Sequence, residues 1–133
     1  MKLTTKSEYS ILALVYIARH QQEGFIKIER ICSHYDIPKK YLELLFTTLR
    51  QSRYLNTRRG AAGGYALARP AATISLAEII RLMDGALAPT ESVSQYFFSD
   101  TPLSKESNIT NILREIRDYI AARLESVKLA DLV

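Results

Sequence analysis

Cysteine occurs once, at Cys32, in a chain of 133 residues. No internal disulfide can therefore form, and a reducing compartment is the natural home. Long apolar runs are missing as well. Nothing approaches the roughly 18 consecutive apolar residues of a membrane-spanning helix. The opening Met1-Lys2-Leu3-Thr4-Thr5-Lys6 has neither the apolar core nor the cleavage site of a signal peptide. These absences predict a soluble, cytoplasmic protein with no membrane partner. Catalytic patterns are also lacking. There is no Ser/His/Asp set, no metal-ligand spacing and no nucleotide-binding loop, and the acids Glu115 and Asp118 fall on the solvated side of a helix, so no enzyme is expected. What is present, 47% hydrophobic and 24% charged residues, suits a folded globular domain with one appended element.

Charge is unevenly spread. Residues 1–69 carry 12 Lys/Arg against 5 Asp/Glu, and residues 70–133 carry 6 against 9, so a net of +7 is followed by a net of −3. A basic half beside an acidic half suits a chain that meets a polyanion at one end and does different work at the other. Ordinary surface charge explains the same numbers equally well, so the motifs must decide.

The first helix has a start signal in Thr5-Lys6-Ser7-Glu8, the spacing of a capping box. Tyr9, Leu12, Ala13, Tyr16 and Ile17 recur at helical spacing, and Ile11, Leu14, Val15 and Ala18 fill a second arc. A helix apolar nearly all round is buried on two sides, against its own domain and against a partner. A second helix carries Ile28, Ile31, Cys32 and Tyr35 on one face and stops at Asp36-Ile37-Pro38. Pro38 opens a third helix, to about residue 51, with Leu42, Leu45 and Leu49 on its buried face. Lys39, Lys40, Glu43, Thr47 and Arg50 lie on or near its outer face. Two short helices joined by a tight turn, the second with a polar and basic outer face, describe a helix-turn-helix.

An ordinary pair of surface helices would look similar, and it is the next segment that separates the two. Tyr54-Leu55-Asn56-Thr57 alternates like a strand, Arg58-Arg59-Gly60-Ala61-Ala62-Gly63-Gly64 forms a Gly-rich connection, and Tyr65 to Arg69 alternates again. A hairpin over 54–69 with Arg58 and Arg59 at its tip, directly behind a helix-turn-helix, is the order of parts in a winged helix. There the second helix of the motif enters the major groove and the wing reaches phosphates or the adjacent minor groove.

Ser75-Leu76-Ala77-Glu78 is a second capping box, Leu76, Ile79, Ile80 and Met83 make a fourth apolar stripe, and Gly85 caps its end. Residues 86–107 show no steady period and include Tyr96-Phe97-Phe98. That cluster suits a lid over a pocket, a partner contact, or packing on the last helix, and packing is the expected role. A long helix then runs from about Asn108 to Val127, with Ile109, Ile112, Leu113, Ile116, Tyr119, Ile120, Leu124 and Val127 on one face and an Arg114–Asp118 pair outside. Twenty residues span roughly 30 Å, and a second copy of the helix would cover such a stripe. The fold predicted is mainly α with a small β-hairpin wing. It divides into a DNA-binding domain (1–85), a sensor-like loop (86–107), and a dimerisation helix with its tail (108–133).

The motifs resemble the Rrf-type (IscR/NsrR/CymR-like) winged-helix transcription regulators along almost the whole chain. They are Met1-Lys2-Leu3-Thr4 with Tyr9, Ile37-Pro38 with Tyr41-Leu42-Glu43, Arg59-Gly60 with Gly63-Gly64-Tyr65-Ala66-Leu67, Ile79-Ile80 with Asp84-Gly85, and Leu129-Ala130-Asp131-Leu132. The resemblance implies a homodimer on a two-fold-related double-stranded DNA site, with Glu43 facing the major groove and Arg59 of the Arg-Gly pair at the minor groove. Tyr41 and Gly60 join the expected contact set with it. Lys40 stands where relatives often carry a small polar residue, and adds a phosphate or guanine contact. Cluster-binding relatives place three cysteines between the fourth helix and the long helix. This chain has none after Asp84, with Asn108 and Asn111 near two of the ligand positions. Because thiolates hold iron–sulfur clusters, no cofactor is expected, and Cys32 reads as a buried structural thiol. The signal sensed would then be a small molecule, a protein partner, or none. An alternative assignment is an adaptor that reuses the winged helix for protein contacts, motivated by the Tyr96-Phe97-Phe98 patch.

Overall fold

Thr4, not Thr5, caps the first helix. Its hydroxyl accepts from the Lys6 amide at 3.2 Å, so α1 (Thr5–Arg19) starts one residue before the expected box and leaves Glu8 exposed. The reason lies 80 residues away: the Thr4 amide and hydroxyl donate to the two oxygens of Asp84 at 2.8 and 2.5 Å. A local capping preference worth about 1 kcal/mol gives way to a carboxylate that takes both donors. Burial pushes the Asp84 carboxyl up, but the Thr4 donors and the charge of Lys6 outweigh it and hold it below the ordinary aspartate value.

The computed structural model describes all residues 1–133. After α1 come a 3₁₀ turn (Gln21–Glu23), α2 (Ile28–Tyr35), α3 (Lys39–Gln51), strands β1 (Leu55–Arg58) and β2 (Gly64–Leu67), and a 3₁₀ turn (Ala71–Thr73). Then follow α4 (Leu76–Asp84), 3₁₀ turns at Glu91–Val93 and Pro102–Lys105, α5 (Ser107–Ser126) and a last 3₁₀ turn (Leu129–Leu132). The strands pair antiparallel, Leu55 opposite Leu67 and Arg58 opposite Gly64. The architecture is the expected one, five helices and a hairpin.

One core holds the first four helices and the hairpin together. Leu14 and Ile17 of α1, Ile31 of α2, Leu42, Phe46 and Leu49 of α3, and Leu55 of β1 are all at most 1% exposed. Fully burying such side chains is worth roughly 1.5–3 kcal/mol each. Most of the apolar circumference of α1 is spent inside this chain: Ala13 through Ala18 are buried and only Leu12 is exposed. Leu129 joins the same core although it follows α5. Its amide donates to Ile74 O at 2.9 Å, the Leu76 amide donates to Val127 O at 2.9 Å, and Arg19 donates to Leu132 O at 2.9 Å. The tail is therefore bound to the wing-bearing half.

Helix α5 presents two faces rather than one. Leu113, Ile120 and Leu124 are half-buried, the last two packing on Ala77, Ile80 and Leu87. Ile109, Ile112, Ile116 and Tyr119 stay 44–72% exposed. The Arg114–Asp118 pair does not form. Arg117 brackets Asp118 while its Nη1 is anchored on Val93 O at 2.9 Å, and Arg114 turns back to Asn111. Packing does not hide the aromatic triplet either: Tyr96, Phe97 and Phe98 are 65%, 46% and 61% exposed. Tyr96 and Phe97 only line a narrow crevice with Arg117 and Ala121 of α5, and the Arg81 guanidinium lies over the Tyr96 ring, 4.9 Å from its centre.

The second capping box forms as expected, and its acid does more than cap. Glu78 accepts from the Ser75 amide at 2.8 Å and also from Arg69 at 2.7 Å and the Tyr54 hydroxyl at 3.2 Å. It thus holds both roots of the hairpin to α4. Burial opposes its charge, but the Ser75 amide and the Arg69 guanidinium keep the carboxyl below the ordinary glutamate value. Glu78→Ala is expected to cost about 1–2 kcal/mol, a cap plus a partly screened ion pair, read as a lower urea midpoint with unchanged slope. Because the folded value is lowered, the contribution of Glu78 is complete above the ordinary glutamate range and is lost as pH falls through the lowered one. Glu78→Gln should accordingly flatten the acid limb of the stability–pH curve.

Candidate nucleic-acid interface

The turn between α2 and α3 is made by residues suited to it. Asp36 closes α2 in the left-handed conformation (φ 57°, ψ 49°), which a short polar side chain tolerates. Ile37, 4% exposed, plugs the corner, and Pro38 precedes the first residue of α3. With Leu42, Leu45, Phe46 and Leu49 buried, the line opposite the core runs through Lys40, Leu44, Thr47 and Gln51.

The expected contact residues are not equally free. Lys40 is exposed and bonded to nothing. Lys39 reaches Glu29 at 2.9 Å and Glu43 at 3.9 Å, so much of its charge is already matched. Glu43 is exposed beside it, while the Thr47 hydroxyl donates back to Glu43 O at 3.0 Å. Tyr41 is held rather than free: its hydroxyl meets the Thr5 hydroxyl at 3.0 Å and its ring stands edge-on to Tyr9. Arg50 is exposed with no carboxylate partner.

On the wing the two tip arginines differ. Arg58 folds back, donating to Ala62 O at 2.6 Å with its guanidinium 4.5 Å from the centre of the Phe25 ring. Arg59 is exposed and has no such partner. Gly60 has φ 99°, and its carbonyl accepts from Lys27 at 2.9 Å. The wing is fixed to the body by a further pairing: the Ile26 and Tyr65 amides donate to one another's carbonyls, both at 2.8 Å. The Tyr65 ring then stands edge-on to Phe46, centroids 4.6 Å apart, which sets the hairpin against the buried side of α3.

Sequence reasoning passed over several residues. Leu44 is 67% exposed on the outermost line of α3; a leucine at a helical position reads as core until the wheel is drawn on Leu42, Leu45 and Leu49. Lys27 and Phe25, which brace the wing, give no local signal because their partners lie over 30 residues on. No three His, Cys, Asp or Glu side chains converge as a metal site would require. Cys32 is half-buried, and burial, with the Glu29 carboxylate nearby, pushes its thiol up. A cavity of about 470 Å³ lies between the chain start and the 86–107 segment, lined among others by Asp84, Glu91, Phe97 and Thr101. No helix is long and apolar enough to cross a membrane.

Comparison with known proteins agrees with this geometry. The family described as "Rrf2: Iron-dependent Transcriptional regulator" matches residues 3–133. The chain is 32% identical to the HTH-type transcriptional regulator IscR of Photorhabdus laumondii, over 100% of this chain and 79% of that one. It is 30% identical to CymR of Bacillus subtilis, over 99% and 89% of the two chains. The solved structure of CymR, the global cysteine regulator of B. subtilis, superimposes with a TM-score of 0.80 at 28% identity, covering 99% of this chain and 95% of that one.

The wing tolerates no side chain at two points, Gly63, where an added Cβ would run into Arg58 O, and Gly64. At Gly64, with φ 146°, an added Cβ would lie 2.4 Å from Ile26 O, whereas Gly60 has open space around it. Gly64→Ala is expected to break the Ile26–Tyr65 pairing and cost more than about 2 kcal/mol. Gly60→Ala meets only backbone strain of about 1–2 kcal/mol. Equilibrium denaturation of the two variants checks the order, and equal losses would contradict the close approach.

Proposed function

The chain belongs to the Rrf2 family of DNA-binding transcription regulators, and from that premise we propose that it works as a cytoplasmic homodimer on a two-fold-related duplex site. The observation that carries this reading is the pairing of two free surfaces. The outer line of α3 projects Lys40 and Thr47, and the wing tip projects Arg59, with no acid of the chain neutralising Lys40 or Arg59. Helix α3 then enters a major groove, where Glu43 accepts from a cytosine amino group. Arg59 enters the adjoining minor groove. Arg58 and Lys39, already engaged within the chain, shape these surfaces more than they contact bases. Catalysis has no part in this reading.

The dimer is supported by the outer face of α5. Covering Ile109, Ile112, Ile116 and Tyr119 is worth roughly 1.5–3 kcal/mol each before the cost of association. A second copy of the helix offers the matching stripe, with Leu113, Ile120 and Leu124 at its flank. Two recognition helices then address half-sites about one DNA turn apart, roughly 34–36 Å.

The family description names iron, and the residues of this chain do not fit a cluster of the usual kind. Several thiolates are needed, and the single thiol sits half-buried on α2, far along the chain from the 86–107 segment. We therefore assign regulation without a cluster.

Selection of genomic fragments by the purified protein at near-physiological salt should enrich promoter DNA sharing an imperfect palindrome. On such a site the logarithm of affinity should fall with that of salt, by about 0.9 per phosphate neutralised. Arg59→Ala is expected to weaken binding, and Glu43→Ala to relax the choice of base pair at one position per half-site; unchanged affinity and selectivity in both variants would overturn these roles. Incubation with iron and sulfide under anaerobic conditions should leave the protein without cluster absorbance and its DNA affinity unaltered by chelators.

A further inference from the structure

The outer edge of β1 and the C-terminal end of α3 enclose a cleft of about 700 Å³, lined by Arg50, Arg53, Asn56, Thr57 and Arg69 with Leu55 and Ala68, and by no acidic residue. Three arginines converge here. Arg50 and Arg53 have no carboxylate partner. Arg69 spends one nitrogen on Glu78, lays its guanidinium 4.7 Å over the Tyr54 ring, and leaves its Nε buried without a partner. Arg53 is one of two non-glycine residues with positive φ (65°), a conformation that places it at the turn between helix and strand. Strand β1 pairs only with β2, so its other edge offers unpaired backbone groups to the same space. Sheet edges and turns with free amides make concavities for anions.

We propose that this cleft grips the phosphodiester backbone of the one DNA strand that passes between recognition helix and wing. The inference rests on the regulator reading. If α3 occupies a major groove and Arg59 the adjoining minor groove, the strand dividing those grooves has to cross the gap between them. That gap is the cleft. It begins at Arg50, in the last turn of α3, and follows β1 as far as Thr57, next to Arg58 and Arg59. Guanidinium groups bind phosphate oxygens in pairs, and Asn56, exposed on the strand, adds a neutral donor. Contacts of this kind fix register on the duplex and carry no sequence information. Arg53 and Asn56 are thus assigned to positioning, with Arg69, held by Glu78, adding its charge to the cleft wall, whereas Glu43 and Arg59 read.

The test uses the full-length protein and a site recovered by selection. Arg53→Asn removes the charge while keeping a residue that accepts the left-handed backbone; an unchanged melting curve verifies its fold, and Arg50→Ala serves as a second variant. The expected result is roughly tenfold weaker binding, the worth of one charge-assisted hydrogen bond, equally for the selected site and for unrelated duplex. The salt slope should fall by about one unit. Ethylation of single phosphates in the operator should block the parent protein at phosphates between the major-groove half-site and the flanking minor groove, and that block should vanish in Arg53→Asn. Unchanged affinity, slope and interference in both variants, while the parent protein binds DNA normally, would overturn the clamp and leave the regulator reading intact. So would saturable binding of inorganic phosphate that Arg53→Asn abolishes without affecting DNA, because the cleft would then serve a small anion. Failure of the parent protein to bind any duplex would remove both readings together.

Discussion

The backbone of Gly64 and Tyr65 lies directly against that of Ile26, and the relation between wing and recognition helix follows from that contact. Two reciprocal amide–carbonyl bonds at 2.8 Å leave no room for a side chain at residue 64. They add a third strand-like segment to what would otherwise be a two-stranded hairpin, a structure marginal in water by itself. With the hairpin anchored, Tyr65 meets Phe46, Lys27 reaches Gly60, and Phe25 receives Arg58. Arg59 is left pointing outward on a support that is bonded at several places. A reader of DNA needs such a fixed angle between its two contact elements, since loss of register by a few ångströms abolishes base-edge hydrogen bonds.

A second set of ties runs from the far end of the chain back to the same body. Glu78 joins α4 to both roots of the wing, and Leu129 fills the core beside Ile74 after α5 has been crossed. The Asp84 carboxylate at the end of α4 holds Thr4, and the adjacent Thr5 hydroxyl meets Tyr41 on α3. The cavity beside the 86–107 segment has Asp84 in its wall. Two sets of hydrogen bonds, joined through the Thr4–Thr5 peptide link, therefore connect that wall to the recognition helix. Spatial continuity of this kind is a route, and coupling along it requires two arrangements of the same groups.

Charge is arranged to the same end. Part of the basic excess of residues 1–69 lies on the contact side beyond the reach of the chain's acids: Lys40 on α3, Arg50 and Arg53 at its end, and Arg59 on the wing tip. Other basic groups are matched internally, Arg30 by Glu23, Lys39 by Glu29, Arg69 by Glu78 and Arg81 by Glu125. A count of charges along the sequence cannot separate these sets, because most of the matching acids come from other elements.

What the sequence determined by itself was whatever depends on near neighbours. The helix periods, the capping box at Ser75, the chain reversal at Pro38, the hairpin around Gly63-Gly64 and the Gly85 cap rest on interactions within four or five residues, and the structure has them where the pattern put them. The order of those elements sufficed for the fold and the family. Tertiary structure decided everything that required a distant partner. Asp84 moved the cap of α1 to Thr4, and Arg117 took Asp118 from Arg114. Helix α4 claimed Ile120 and Leu124 and so divided the stripe of α5, while Tyr96-Phe97-Phe98 stayed largely exposed with Tyr96 under Arg81. The arginine cleft belongs with these, since Arg69 joins Arg50 and Arg53 only when the hairpin closes beside the end of α3. Periodicity states which side of an element is apolar. It does not say which other element, or which charge, will reach that side first.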